Sequence, residues 1–195
     1  MRFDLPCLDV ARALLGATLR LGGVTLRLTE VEAYDGLADP ASHAAMKGRR
    51  PDTAALFAAP GTLYCYLSYG VHICANLVTT AAGSGAAVLL RAGEVVEGVA
   101  LARRRRWGTA EPAQPDWALA RGPGNLGRAL GVTLADSGQR CGPDFSVTPG
   151  AAGPVAAGPR VGVSVAWARP WRFWLDGDPT VSAYKKSPRA VEGSW

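Results

Sequence analysis

The sequence predicts a mixed α/β (α+β) fold with a mostly antiparallel sheet, and three stretches carry that prediction. In "VTLRLTEVEAY" (residues 24–34), Val24, Leu26 and Leu28 alternate with Thr25, Arg27 and Thr29, the period of a half-buried strand. In "LFAAPGTLYCYLSYGVHICANLVTT", a Pro60-Gly61 turn leads into a strand from Leu63 to Leu67, a tip at Tyr69-Gly70 and a return strand from Val71 to Val78. Near the end, "RVGVSVAWARPWRFWL" reads as two strands joined at Ala168-Arg169-Pro170.

The remaining elements follow in chain order. Residues 8–20, "LDVARALLGATLR", read as a helix with Asp9 as its cap, Leu14 and Leu15 on the apolar face, and Gly16 weakening or ending it. After strand 24–34, "DGLADPASHAAMKGRRPD" is too rich in breakers for a regular element and reads as a long loop, a length that often carries function. "GSGAAVLLRAGEV" gives a turn, a short apolar strand through Leu90, then Arg91. Glu94 to Arg106 reads as a helix, and "GPGNLGRALGV" as a turn opening a short one. The region 136–159, rich in Gly, Pro and Ala, reads as loop. No repeat or linker divides the chain, so residues 1–195 are expected to form a single domain.

Composition narrows the function classes. With 48% hydrophobic and 19% charged residues the chain has the apolar mass for a core. No apolar run approaches a membrane span and "MRFDLPCLDV" lacks the apolar segment of a signal peptide, so a cytoplasmic location is expected. Cys7, Cys65, Cys74 and Cys141 show no C-x-x-C spacing and read as packing residues; with only two histidines, a zinc site has little to work with. The net charge of +5 permits a polyanionic partner. Much of it sits in Arg103 to Arg106, either a solvated helix face or a set of phosphate contacts.

Two features demand chemistry. Carried on unbroken, the apolar phase of strand 24–34 runs into Glu30, Glu32 and Tyr34. Either a bulge near Thr29 turns Val31 and Ala33 inward and the glutamates out to water, or the phase holds and a carboxylate sits in a partly desolvated pocket where it can activate a nucleophile. Then, three of five tyrosines, Tyr64, Tyr66 and Tyr69, lie within six residues. Cross-strand packing suits the first two but not Tyr69 at an exposed tip. An aromatic inserted into a base stack, beside a pocket for an everted nucleotide, would explain it.

Six blocks in order, "LARALLGATL", "TEVEAYDGLADPASHA", "PGTLYCYLSYGVHICANLV", "AVLLRAGEVVEG", "GPGNLGRALGV" and "RVGV…RPWRFWLDGDPTVS", resemble the alkyladenine (3-methyladenine) DNA glycosylase family over about residues 10–182. The resemblance implies a single α/β domain with a curved sheet and a protruding DNA-inserting hairpin. It implies a monofunctional enzyme without metal or organic cofactor, acting on double-stranded DNA that contains damaged purines; the sequence carries no visible signal of oligomeric state, and a monomer is the expectation. Glu32, in the E-A-Y triplet, would be the general base for water attack on C1′, and Arg91 would help position that water. Tyr34 would stack on the flipped base, His43 of "DPASHA" would contact its edge, and Tyr66 would close the other side. Asn76 matches a pocket asparagine that excludes bases with an extra exocyclic amine, unless it only satisfies backbone groups. Tyr69 would be the wedge in the minor groove. No lysine lies in these pocket motifs, which favours water over a Schiff base. One departure stands out: Asp52 and Thr53 replace the arginine and asparagine usual in the family. A non-catalytic binder of distorted or single strands and a small-molecule N-ribohydrolase are the competing readings.

Overall fold

The computed structural model describes residues 1–109 and 114–191. Helix α1 (Cys7–Leu14) leads to strands β1 (Thr18–Leu21) and β2 (Val24–Asp35), and the short helix α2 (His43–Lys47) to the hairpin β3 (Leu63–Ser68) and β4 (His72–Val78). Then come β5 (Ala86–Glu97), α3 (Val99–Trp107), β6 (Ala120–Arg121), α4 (Pro123–Leu130), β7 (Phe145–Thr148), β8 (Val155–Gly158) and β9 (Arg172–Leu175). The strands form one curled antiparallel sheet in the order β3-β4-β5-β2-β1-β7, with β6 paired to β5 and β9 joining β2 to β8. The mixed class and the antiparallel sheet agree with the sequence reading.

The core lies on one side of this sheet. Val10 and Leu14 of α1, Leu126 and Leu130 of α4, and Val31 and Leu90 of the long central strands are all inaccessible to water. Burying each such side chain contributes on the order of 1.5–3 kcal/mol.

Four element boundaries differ from the sequence reading, each for a physical reason. Helix α1 stops at Leu14 rather than residue 20, and Asp9 sits in its first turn instead of capping it. Gly16 adopts φ 76°, where a Cβ would lie 2.3 Å from the carbonyl of Ala151, and the freed residues pair as β1. Glu94–Glu97 belong to β5, because β2 pairs with it from Asp35↔Ala86 back to Thr25↔Glu97; Gly98, left-handed at φ 74°, then starts α3. The segment expected to be loop at 35–52 contains α2, capped by Ser42, whose hydroxyl accepts from Ala45 N. Finally, residues 160–170 form no strand; the partner of β9 is β8, from the region read as loop.

The cysteines follow the packing expectation in part. Cys7, Cys65 and Cys74 are buried, and burial pushes the thiols of Cys7 and Cys65 up to about 12, whereas Cys141 is exposed. Cys65 and Cys74 do not face each other: Cys65 joins the core and Cys74 lines a cleft on the other face.

Helix α4 sets the position of the hairpin. A Cβ on Gly127 would lie 2.2 Å from the carbonyl oxygen of Ile73 in β4, so helix and strand meet backbone to backbone. Gly127→Ala is therefore expected to destabilise the protein by about 1–3 kcal/mol, read as a lower urea midpoint at unchanged m-value. A midpoint equal to the native one would mean that α4 does not clamp the hairpin.

Candidate active site

The two central strands bulge where the site is built. Along β2, Leu28 pairs with Gly93 and Glu30 with Ala92, so Thr29 is the extra residue; along β5, Glu30 with Ala92 and Val31 with Leu90 leave Arg91 as the extra one. A bulge re-aims side chains. Before it, Leu26 and Leu28 face the core; after it, Val31 and Ala33 do. The first of the two readings of strand 24–34 thus describes the backbone, and the unbroken phase is wrong. Its consequence for the glutamates does not follow, however: Glu30 and Glu32 are both fully buried. They leave the apolar core only to be covered by residues 160–182 on the other face of the sheet.

Glu30 is the hub of that second layer. Its Oε1 accepts from Arg91 Nε at 2.7 Å, Arg172 Nε at 2.7 Å and Ser182 Oγ at 2.9 Å, and its Oε2 accepts from Ser182 N at 2.7 Å. Burial alone would raise its pKa, but the two guanidiniums and the Ser182 N–H outweigh burial and hold it below the usual value.

Glu32 lies one strand step further, on the floor of a cleft of about 750 Å³. Val161 N donates to Oε1 at 2.7 Å, Arg91 Nη1 lies 3.2 Å from the same oxygen, and the Tyr34 hydroxyl donates to Oε2 at 2.9 Å. Burial and the neighbouring Glu32 carboxylate push the Tyr34 phenol well above its ordinary pKa, so it stays a donor. The Arg160 guanidinium stacks 4.7 Å from the centre of the Tyr34 ring and 5.2 Å from that of Trp171, and it is paired with the buried Asp39. Arg160 also donates to the carbonyl of Ala33, so one buried cation ties the tyrosine, β2 and the loop bearing Val161 together.

Aromatic side chains from three elements form the cleft wall. The rings of Tyr64 and Tyr66 stack with centroids 5.8 Å apart, and His43 of α2 meets the edge of Tyr66 at 4.4 Å. His43 Nδ1 is 2.9 Å from the Tyr64 hydroxyl. Asn76, paired across β3–β4 with Tyr64, lines the cleft while its Nδ2 donates to the Tyr64 carbonyl at 3.1 Å. At the hairpin tip Tyr69 is 90% exposed and left-handed at φ 50°, a conformation that a non-glycine residue adopts at some cost. It sits at the edge of the same cleft, with Leu67 and Ser68.

A family model described as methylpurine-DNA glycosylase (MPG) matches residues 1–179. The chain belongs to this family. It is 52% identical over 191 residues to a protein of Nocardia farcinica (strain IFM 10152), covering 92% of this chain and 88% of that one. It is 50% identical over 191 residues to one of Leifsonia xyli subsp. xyli (strain CTCB07), covering 93% and 89%. Both carry the name "Putative 3-methyladenine DNA glycosylase". The chain is thus a DNA-repair glycosylase, a hydrolase of N-glycosyl bonds.

All seven residues singled out in the sequence, Glu32, Tyr34, His43, Tyr66, Tyr69, Asn76 and Arg91, line the glycosylase cleft. Other expectations change. Arg105 and Arg106 are used internally, Arg105 donating to the carbonyls of Gly22, Ala129 and Leu130 and Arg106 to that of Leu119, and Arg103 pairs with Asp116. Thr53, at the departure from the family pattern, is buried and caps its own turn by accepting from Arg50 N at 2.8 Å; Asp52 lies 3.6 Å from Lys47. The Gly122-Pro123-Gly124 turn packs tightly on the hairpin, since a Cβ on Gly124 would meet the His72 ring at 2.7 Å.

Sequence reasoning missed the partners that lock the carboxylates. Arg172 and Ser182 on Glu30, the Val161 N–H on Glu32 and the Asp39–Arg160 pair come from segments far away in the chain, and a backbone N–H has no sequence signal. Lys185 and Lys186 also line the cleft, from beyond the pocket motifs.

The cleft disfavours a charged histidine. Burial, then the nearby Lys47, lowers the His43 pKa to about 4. An NMR titration of the ring is expected to give a midpoint near 4, against 6.5 for a free imidazole. Because the folded value is depressed, His43 binds fewer protons folded than unfolded, and its contribution makes stability fall as pH drops from about 6.5 towards 4. A midpoint near 6.5 would mean that the ring is solvated and does not belong to the wall.

Proposed function

We propose that this glycosylase everts a damaged purine nucleotide from duplex DNA into the cleft and hydrolyses its N-glycosidic bond with water activated by Glu32. The observation that carries the reading is the hydrogen bonding of Glu32. Oε1 holds two donors and Oε2 one, so Oε2 keeps an acceptor site for a water. As the bond from C1′ to the purine nitrogen breaks, its electron pair leaves with the base. The water oxygen bonds to C1′ and its proton passes to Glu32, and the buried carboxylate offsets positive charge developing on the sugar.

The other residues have roles that fit their chemistry. Tyr34, backed by Arg160, and Tyr66 present aromatic faces to the base, and His43 meets its edge. Electron-rich rings favour purines made cationic by alkylation, such as 3-methyladenine and 7-methylguanine. Neutral hypoxanthine and ethenoadenine depend on protonation of the leaving base. Arg91, fixed between Glu30 and Glu32, positions the water. Asn76 helps exclude bases with an extra exocyclic amine, a selection that 7-methylguanine, which carries one, overcomes through its cationic ring and weakened glycosidic bond. Tyr69 enters the duplex and fills the gap left by the everted nucleotide. The whole chain acts as one domain, as a monomer, in the cytoplasm.

Single-turnover base release from duplexes bearing hypoxanthine or ethenoadenine opposite thymine, then from alkylated duplex, tests this. Release of free base with an intact abasic strand is expected. Strand cleavage without alkali would point to a lysine nucleophile instead, and no release from any of the three would overturn the reading.

A further inference from the structure

The family match ends at residue 179, yet the wall of the cleft continues beyond it. Residues 181–191 form a strap laid across the site. It starts at Ser182, which is held by Glu30 and also accepts from Arg91 Nη2 at 3.2 Å and, through its carbonyl, from Arg172 Nη2 at 2.7 Å. Further on it is stitched to the loop that carries Val161. Gly162 N donates to the Lys185 carbonyl at 3.0 Å, Val191 N donates to the Ser164 carbonyl at 2.9 Å, and Trp167 Nε1 donates to the Val191 carbonyl at 3.0 Å. Between these ties Lys185, Lys186, Ser187 and Pro188 line the cleft, with Lys185 and Lys186 exposed.

Charge pairing separates these two lysines from the other cations of the lining. Arg91 is neutralised by Glu30 and Glu32, and Lys47 lies beside Asp52. Among the described residues, neither Lys185 nor Lys186 is in a salt bridge with a carboxylate. The Lys186 ammonium rests 3.8 Å from the centre of the Trp167 ring, which holds its head group in place and leaves its hydrogens available. One held cation, Lys186, and a second, Lys185, carried on a tied backbone stand exposed at the edge of an aromatic cleft, where an anion would find both.

We propose that the strap is a backbone clamp: Lys185 and Lys186 bind the DNA phosphates that flank the everted nucleotide. This rests on the reading of the cleft as the receptacle for that nucleotide. An everted nucleotide stays covalently within its strand, so its flanking phosphates must lie at the mouth whenever its base is inside. The apolar tip Leu67–Tyr69 supplies no cation there; the strap does.

The test is the salt dependence of binding to a duplex carrying a tetrahydrofuran abasic analogue, which cannot lose a base. Each phosphate contact contributes about 0.9 to the slope of log affinity against log salt. Lys185→Ala/Lys186→Ala is expected to lower that slope by about 1.8 and to weaken binding on the order of ten-fold near 0.1 M salt. The single-turnover excision rate at saturating protein should change far less than the affinity, and Lys185→Arg/Lys186→Arg should restore the slope. Arg103→Ala, on the surface of α3, controls for the loss of one positive charge and is compared with each single lysine variant. An unchanged slope overturns the clamp, as does an equal fall with Arg103→Ala. A slow saturating rate with a native slope would make the strap a structural wall only. A native chain that binds the analogue but excises nothing sinks the glycosylase reading of the cleft, while the slopes still decide the clamp.

Discussion

Glu32→Gln is expected to reduce single-turnover base release by roughly 10²–10⁴-fold while leaving binding to lesion duplex within a few-fold of native. The substitution is close to isosteric, and its surroundings tolerate it. The Gln carbonyl can take the place of Oε1, accepting from Val161 N and facing Arg91, while its NH₂ turns towards the Tyr34 hydroxyl, which then accepts instead of donating. The fold is kept and only the basic, charged oxygen is lost. Retention of the native rate would remove Glu32 from the mechanism. A fall in affinity equal to the fall in rate would mean that the carboxylate organises the cleft more than it drives the chemistry.

Sequence patterning made the sheet legible wherever one face is apolar. The hairpin 63–78 and the start of β2 show period-two alternation because one side of each packs on the core. Patterning failed where both faces are buried. Beyond Thr29, β2 has Val31 and Ala33 on the core and Glu30 and Glu32 under the cover of residues 160–182, so no alternation survives to be read. Short strands were missed for another reason. β7 and β8 are four-residue segments set among glycines and prolines, held by pairing with β1 and β9 and not by local preference. The apolar run at 161–167 has the composition of a strand yet forms none, because it must loop over Glu32 and Arg160 to deliver a single N–H.

The candidate site divides along the same line. Side chains that face the cleft were found through the resemblance, and they do gather around one space. The groups that hold them in place were not, because their partners lie more than a hundred residues away in sequence, as Arg160 does from Asp39 and Ser182 from Glu30. Glu30 shows the difference. Its place beside Glu32 in the strand suggests an ion pair or a supporting role behind that base; only the tertiary structure makes it the counter-charge to two buried arginines.

That position gives Glu30→Gln the largest expected effect on stability. Two carboxylates, Glu30 and Glu32, face two guanidiniums, Arg91 and Arg172, in a buried layer at the floor of the cleft. A glutamine at 30 removes one negative charge and sets an NH₂ against either the two Nε–H donors or Ser182 N, leaving a donor without an acceptor. Breaking a buried pair in this way costs about 3–5 kcal/mol. The pH dependence has a definite sign. Because the folded pKa of Glu30 lies below its free value of 4.5, its stabilisation is complete above that value and is lost as pH falls through the folded one. Urea midpoints of native and Glu30→Gln proteins should therefore differ most near neutrality and converge on acidification, and a constant gap would mean that packing, not charge, is what Glu30 supplies. Activity should respond as well. With Glu30 neutral, Arg91 has Glu32 as its one remaining carboxylate among the described residues; a tighter hold on that base slows the step in which it must accept a proton.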